Sequence, residues 1–273
     1  MPPGRRAGSG TVRACVLVLA LSLACCGRVY AGADYRRVAG GSFVSALSLD
    51  GARAQVHVAG FAMRATPVTV AQYLAFVRAH PEWRRDRVPA MYAGGGYLAS
   101  WAGPLLPGPA VAPQQPVTEV SWFAARAFCA GEAARLPTWY QWEYAAAADA
   151  SRRDARGDPA RQARILQKLL ERTGRAPAAV GKGSANRYGL HDMNTLVWEW
   201  VDDYAAMFVN ADARDPGPGN LLKLCGGAAL AFANRAAYPL MMRVAALAAM
   251  KPTDESGNLG FRCVRDTNRG ETP

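Results

Sequence analysis

The sequence predicts one domain of mixed helix and strand with long irregular stretches, preceded by a removable leader. Three observations carry this expectation. Short strand-and-turn patterns lie between Tyr35 and Met63 (RVAGGSF, then QVHVAGFAM). Helix start signals stand at Thr69, Ser121 and Thr138, and from Pro177 onward Gly, Asn and Pro are frequent. With 273 residues, 51% apolar and 19% charged, the chain is long enough to bury a core and is not of disordered composition.

The elements follow in order. Arg5, Arg6 and Arg13 precede an apolar run of 13 residues, Ala14 to Cys26. A bilayer span needs about 20 residues, so the run fits a signal-peptide core and not a transmembrane helix. Small residues at Ala31 and Ala33 place cleavage after Ala33, with Ala31 as the alternative, giving a leader 1–33 and a mature domain 34–273. Ser22-Leu23-Ala24 before Cys25 and Cys26 is a poor lipobox, and Arg5-Arg6 lacks the flanks of a twin-arginine signal. The whole chain has a net charge of +11, with 32 basic and 21 acidic residues. The leader holds four arginines and no acid, so the mature chain keeps 28 basic against 21 acidic residues, or +7. With no run of five like charges, a nucleic-acid surface is not indicated.

A helix is expected from Thr69 through VAQYLAFVRAH, with Val70, Tyr73, Leu74 and Val77 on one face. Residues 84–116 read as a long loop, where Tyr92, Tyr97 and Trp101 could line a cleft. A second helix is expected over Ser121–Ala134. A third opens at Thr138, which has capping-box spacing to Gln141. Ala160–Arg172 reads as an amphipathic, solvated surface helix. After Pro177, loops tied down by aromatic residues are expected, with few regular elements.

Familiar catalytic patterns are missing. The sequence has no Gly-rich phosphate loop, no Cys-x-x-Cys and no Gly-x-Ser-x-Gly elbow, and His57, His80 and His191 lie far apart. Outside the leader only Cys129, Cys225 and Cys263 remain, which in an oxidising compartment suggests one disulfide and one leftover thiol.

Three blocks stand out: PVTEVSWFAARAFCAGEAARLPTWYQWEYAAAADA (116–150), NRYGLHDMNTLVWEWVDD (186–203) and NLGFRCVRD (258–266). In order and spacing they resemble the sulfatase-modifying-factor family, which includes the formylglycine-generating enzyme. The resemblance runs from Arg37 to Asp266. It implies an α+β domain of the formylglycine-generating-enzyme fold, C-type-lectin-like and low in regular secondary structure. It also implies a disulfide between Cys129 and Cys263. A structural calcium site would use the side chains of Asp192 and Glu199 and the carbonyls of Thr195 and Val197, a hard-oxygen set. The family Gly-Asn is here Thr195-Leu196. Trp198 and Trp200 are expected as core anchors, and Arg262 as a donor to backbone carbonyls.

One departure bears on function. The family enzyme binds copper(I) through two cysteines after Gly-Gly-Ser, a soft–soft pairing. Here Gly226-Gly227 is followed by Ala228, and the two catalytic positions fall on Asn234 and Pro239. No cysteine lies between Cys225 and Cys263, so no shift of alignment restores the pair. A family cleft would have its floor at Trp198, Ala228, Asn234 and Pro239. Cys225 is the leftover thiol and, with Met241 and Met242 nearby in sequence, a candidate copper ligand. The expected function is an exported accessory or binding protein without formylglycine-generating activity, acting on a periplasmic protein or peptide partner. The alternative is an oxidoreductase-type enzyme modifying a periplasmic peptide, protein or siderophore, with copper as its metal.

Overall fold

In the computed structural model, three side-chain hydroxyls start three helices. Thr69 accepts from the Gln72 N–H at 3.3 Å, and the Gln72 side chain accepts from the Thr69 N–H at 3.0 Å, opening α1 (Val70–Ala79). Ser121 accepts from the Ala124 N–H at 3.1 Å and opens α2 (Trp122–Gly131). Thr138 and Gln141 repeat the reciprocal box at 3.2 and 3.1 Å and open α3 (Trp139–Ala147). Each cap satisfies donors that the first helical turn leaves without partners, for about 1 kcal/mol. The structure describes Met1 and residues 33–47, 55–171, 175–205 and 238–267. The expected leader, Cys225, Ala228 and Asn234 lie outside the described residues.

The buried stripe of α1 is Val70, Tyr73, Phe76 and Val77. Phe76 takes the place expected for Leu74, because its ring meets Phe128 of α2 at 5.4 Å. Helix α2 stops at Gly131, short of the expected Ala134. Ala133 turns the chain with φ 53°, which lets Arg135 bridge to Val264. Helix α3 is buried nearly all round, as a central helix must be. Its Glu143 accepts from Ser45, Ala46, Trp139 and Arg156 at 2.5–2.9 Å. Burial pushes that carboxyl up, and these donors hold it back.

Strands β1 (Tyr35–Val38), β4 (Phe61–Arg64) and β9 (Val264–Asp266) form an antiparallel sheet in the order β1-β4-β9. Its register sets Met63 opposite Val264, so both ends of the described domain share one sheet. Strands β2 (Gly41–Val44) and β3 (Gln55–Val58) pair separately. The expected loop 84–116 contains a small hairpin, β5 (Trp101–Gly103) with β6 (Leu106–Pro107). Strands β7 (Trp198–Glu199) and β8 (Leu259–Gly260) run parallel and bring the second and third sequence blocks together. Gly260 is required there: a Cβ would sit 2.7 Å from the Val117 carbonyl oxygen. The architecture is thus α+β, with small sheets and few helices.

Among the described residues, two helices lie toward the C-terminal half. Helix α4 (Pro159–Glu171) forms where an amphipathic helix is expected. It is not simply solvated, because it packs on α5 (Tyr238–Ala248) and buries Ile165. Helix α5 departs from the irregular structure expected after Pro177. Its Pro239 stands in the first turn, the position where a proline favours a helix start, and an apolar run follows. Among the described residues no helix is long and apolar enough to cross a membrane.

A disulfide joins Cys129 at the end of α2 to Cys263 just before β9, across a sequence separation of 134. Loop-entropy arguments give such a cross-link about 2–5 kcal/mol. Reducing it, or making the paired Cys129→Ala/Cys263→Ala change, should therefore lower the unfolding free energy by about 2–5 kcal/mol in urea titrations. A loss below about 0.5 kcal/mol would mean that the α2–β9 contact is held by packing alone.

Candidate functional site

The site rests on a buried ion pair. Glu199 and Arg262 both have zero side-chain exposure, and Arg262 Nη2 lies 2.8 Å from Glu199 Oε1. Arg262 Nε adds contacts of 3.0 Å to both carboxylate oxygens. Trp142 of α3 donates its indole N–H to Oε2 at 2.6 Å. The remaining Arg262 donors reach the carbonyls of Arg64, Ala65 and His191 at 2.9–3.4 Å. Arg262 therefore holds backbone carbonyls as expected, and in addition neutralises Glu199. Four segments meet on these two side chains: β7, the end of β4, the 191 loop and α3.

That arrangement bears on the expected calcium site. Both Glu199 oxygens accept from Arg262 or Trp142, so no lone oxygen faces a cation. Asp192, at φ 63°, gives one carboxylate oxygen to the Gly181 N–H at 2.6 Å. Thr195 donates its N–H to the Asp192 carbonyl at 3.4 Å, and Val197 is buried. A calcium ion at Glu199 would stand against the Arg262 guanidinium. The donor set as arranged does not fit calcium. Among the described residues no group of three or more His, Cys, Asp or Glu side chains is disposed to hold a metal.

At Trp198, the neighbour of Glu199 in β7, opens a cleft of about 570 Å³. Trp198 forms one wall, held because its N–H donates to the Asn258 carbonyl at 2.8 Å. Trp101 and Val111 come from the 84–116 segment, Leu166, Leu169 and Leu170 from α4, and Met242 from α5. Ser256, Asn258 and Glu119 supply polar groups. Two residues beside it have left-handed backbones, Leu98 at φ 49° and Glu119 at φ 60°. The Leu98 N–H donates to the Glu119 carbonyl at 2.9 Å, and the Ser100 N–H to the Glu119 carboxylate at 2.7 Å. Such conformations disfavour residues other than glycine and persist where surrounding structure enforces them, often at binding sites.

The expected cleft residues fall in different places. Trp198 lines the cleft. Pro239 does not; the turn of α5 places it in a narrow gap behind Trp198, and Met242 faces the cleft instead. Trp200 is the core anchor, fully buried with its indole on the Val120 carbonyl at 2.9 Å, whereas Trp198 is half exposed to the cleft. Of the three loop aromatics, Trp101 reaches the cleft. Tyr97 is buried, its hydroxyl 2.5 Å from that of Tyr73, and Tyr92 faces solvent. Glu119 was missed, because a positive φ at a glutamate leaves no local signal.

A family model described as the sulfatase-modifying factor enzyme 1-like domain matches residues 28–267. The formylglycine-generating enzyme of Streptomyces coelicolor is 35% identical over 173 residues, covering 57% of this chain and 54% of that protein. The inactive C-alpha-formylglycine-generating enzyme 2 of Mus musculus is 29% identical over 184 residues, covering 63% and 56%. The chain thus spans about half the length of these curated relatives. Among solved structures, that of PvdO from Pseudomonas aeruginosa aligns with a TM-score of 0.47 at 17% identity, covering 84% of this chain and 93% of that one.

Removing one member of a buried pair strands the other charge, at about 3–5 kcal/mol. Glu199→Gln should destabilise by that amount in chemical denaturation, and calcium should leave the thermal midpoint where EDTA leaves it. A calcium-dependent rise in the wild-type midpoint would contradict the assignment of Glu199 to Arg262.

Proposed function

The chain belongs to the sulfatase-modifying-factor family, and from that premise we propose that it is an exported accessory protein that binds a periplasmic partner without generating formylglycine. The bound element is a peptide segment of that partner, held in the cleft for its maturation or regulation. One observation carries the reading: the cleft wall at Trp198 is kept, while the positions that would carry the two thiolates are Asn234 and Pro239. Pro239 is moreover buried in the first turn of α5. Neither residue supplies a soft anionic sulfur, so the family's copper-and-oxygen route to an aldehyde has no ligands here.

What remains suits binding. A cleft of about 570 Å³ is within the range of ligand pockets, and its walls are mainly aromatic and aliphatic with a few polar groups at the edge. Trp101 and Trp198 are rigid, so ordering them on binding forfeits little side-chain entropy. Glu119, Ser256 and Asn258 can orient a peptide backbone. Copper delivery through Cys225 is the form this role takes if that thiol binds the metal. Met242 in the cleft wall is the observation that favours keeping it in view.

The test uses the purified protein with a Cys-x-Pro-x-Arg peptide, copper and oxygen, followed by mass spectrometry for the aldehyde. No aldehyde is expected, and its formation would overturn the reading. A Cu(I) competition titration beside Cys225→Ala separates the two roles. Tight binding lost in the variant supports metal handling through Cys225 and favours the maturation role. No binding in either protein leaves binding alone.

A further inference from the structure

Helix α4 borders two concave surfaces. Its Leu166, Leu169 and Leu170 line the cleft at Trp198. Its Arg161, Arg164 and Lys168 line a separate open groove of about 310 Å³, whose other side is the loop 183–195. Ile165, Leu190 and Met193 give that groove an apolar floor, and Ser184 and Thr195 stand at its edge with hydroxyl groups.

The groove carries positive charge that its own surroundings leave uncompensated. Among the described residues no acid forms an ion pair with Arg161, Arg164 or Lys168. Arg161 is fixed by the backbone, donating to the Ala146 and Ala148 carbonyls at 2.7 and 3.4 Å. The nearby acids are already engaged. Asp149 and Asp158 both pair with Arg152, and Asp192 accepts from the Gly181 N–H. Arg164 and Lys168 are exposed, so they are free to meet a partner.

The spacing of the cations fits an extended chain. From Arg161 to Lys168 the helix advances about 10 Å, the length of about three extended residues. Acids at alternate positions of a strand lie about 7 Å apart on one face, and the intervening side chains point to the other. Such a segment sets carboxylates against the row of cations while its apolar residues meet Ile165, Leu190 and Met193. The apolar floor favours a peptide over a sulfated polysaccharide or lipid headgroups, which bring charge without an apolar side chain to cover it.

We propose that the groove between α4 and the loop 183–195 docks an acidic, extended segment of the partner protein, beside the segment held in the cleft. The inference rests on the partner-binding role proposed above and adds the charge of the second contact. Exposed charges of this kind steer encounter and make binding sensitive to salt.

Fluorescence polarisation with a labelled Glu-Leu-Glu-Leu-Glu peptide tests it on the full protein. The expected result is binding that falls with rising salt and is absent for Lys-Leu-Lys-Leu-Lys. Arg164→Glu/Lys168→Glu should weaken it at least about tenfold. Lys168→Gln, a milder change in case the double reversal does not fold, should weaken it about two- to fivefold. Arg37→Glu/Arg78→Glu makes the same change in net charge on exposed residues of β1 and α1, and should leave binding unchanged. Equal weakening in both double variants, or no binding by the wild type, overturns the proposal. Heparin or phosphatidylglycerol vesicles held more tightly than the peptide, and lost in Arg164→Glu/Lys168→Glu, overturn the assignment to a peptide. In cells, a photoreactive residue at position 168 should capture the same exported protein as one at position 242 in the cleft. Capture at 242 without 168 overturns the groove and leaves the cleft reading standing, and capture at neither overturns both.

Discussion

The Glu199–Arg262 pair is the interaction on which the rest of the structure depends. Among the described residues little is held by continuous sheet or long helices, and the largest sheet there has three strands. Segments distant in sequence must therefore be fixed by side chains. Arg262 alone ties the end of β4, the 191 loop and β7, and Trp142 adds α3 through the same carboxylate. Arg243 then brings α5 onto the Glu199 carbonyl. Because every Glu199 oxygen and nearly every Arg262 donor has a partner, the desolvation of both charges is offset by hydrogen bonds as well as by their attraction. The disulfide acts on the same region, fixing Cys263 next to Arg262 in sequence.

This locked floor fixes the cleft wall at Trp198 through contacts made behind it. Trp198 is held by main-chain contacts to Asn258 and by its neighbour Glu199, and none of these requires a thiolate. Helix α4, inserted where the charged segment 151–176 lies, brings leucines to the opposite wall. The cleft walls are accordingly mainly aromatic and aliphatic. In the proposed role that apolar surface recognises a partner, and the left-handed backbone at Glu119 fixes the polar edge. Fold membership and reaction are separable in this way because the fold is set by the buried network and the reaction by residues outside it.

Much of this was legible in the sequence where the signal is local or carried by a motif. Thr69 with Gln72 and Thr138 with Gln141 are reciprocal caps at fixed spacing, and the structure forms both. Cys129 and Cys263 are the pair that the family resemblance names, and the structure joins them. Other features needed the tertiary structure. A glutamate between two tryptophans reads the same whether a cation or a guanidinium meets it, so the pairing of Glu199 with Arg262 needed the tertiary structure. Helix α5 was hidden because glycine, asparagine and proline elsewhere in the C-terminal third weighed against any helix, although Pro239 at its start favours one. Leu74 and Phe76 both fit a helical stripe, and only the Phe128 ring across the interface decides between them.

The central claim is that the cleft between Trp198, α4 and α5 engages a partner's peptide segment. The most direct measurement is site-specific photocrosslinking in cells, with a photoreactive residue at Met242 in the cleft wall and, separately, at Arg78 on the exposed face of α1. The account predicts a discrete adduct from position 242, carrying a peptide of one exported protein, and none from position 78. An identical pattern from both positions, or no adduct from position 242 while the protein is folded and exported, would contradict it.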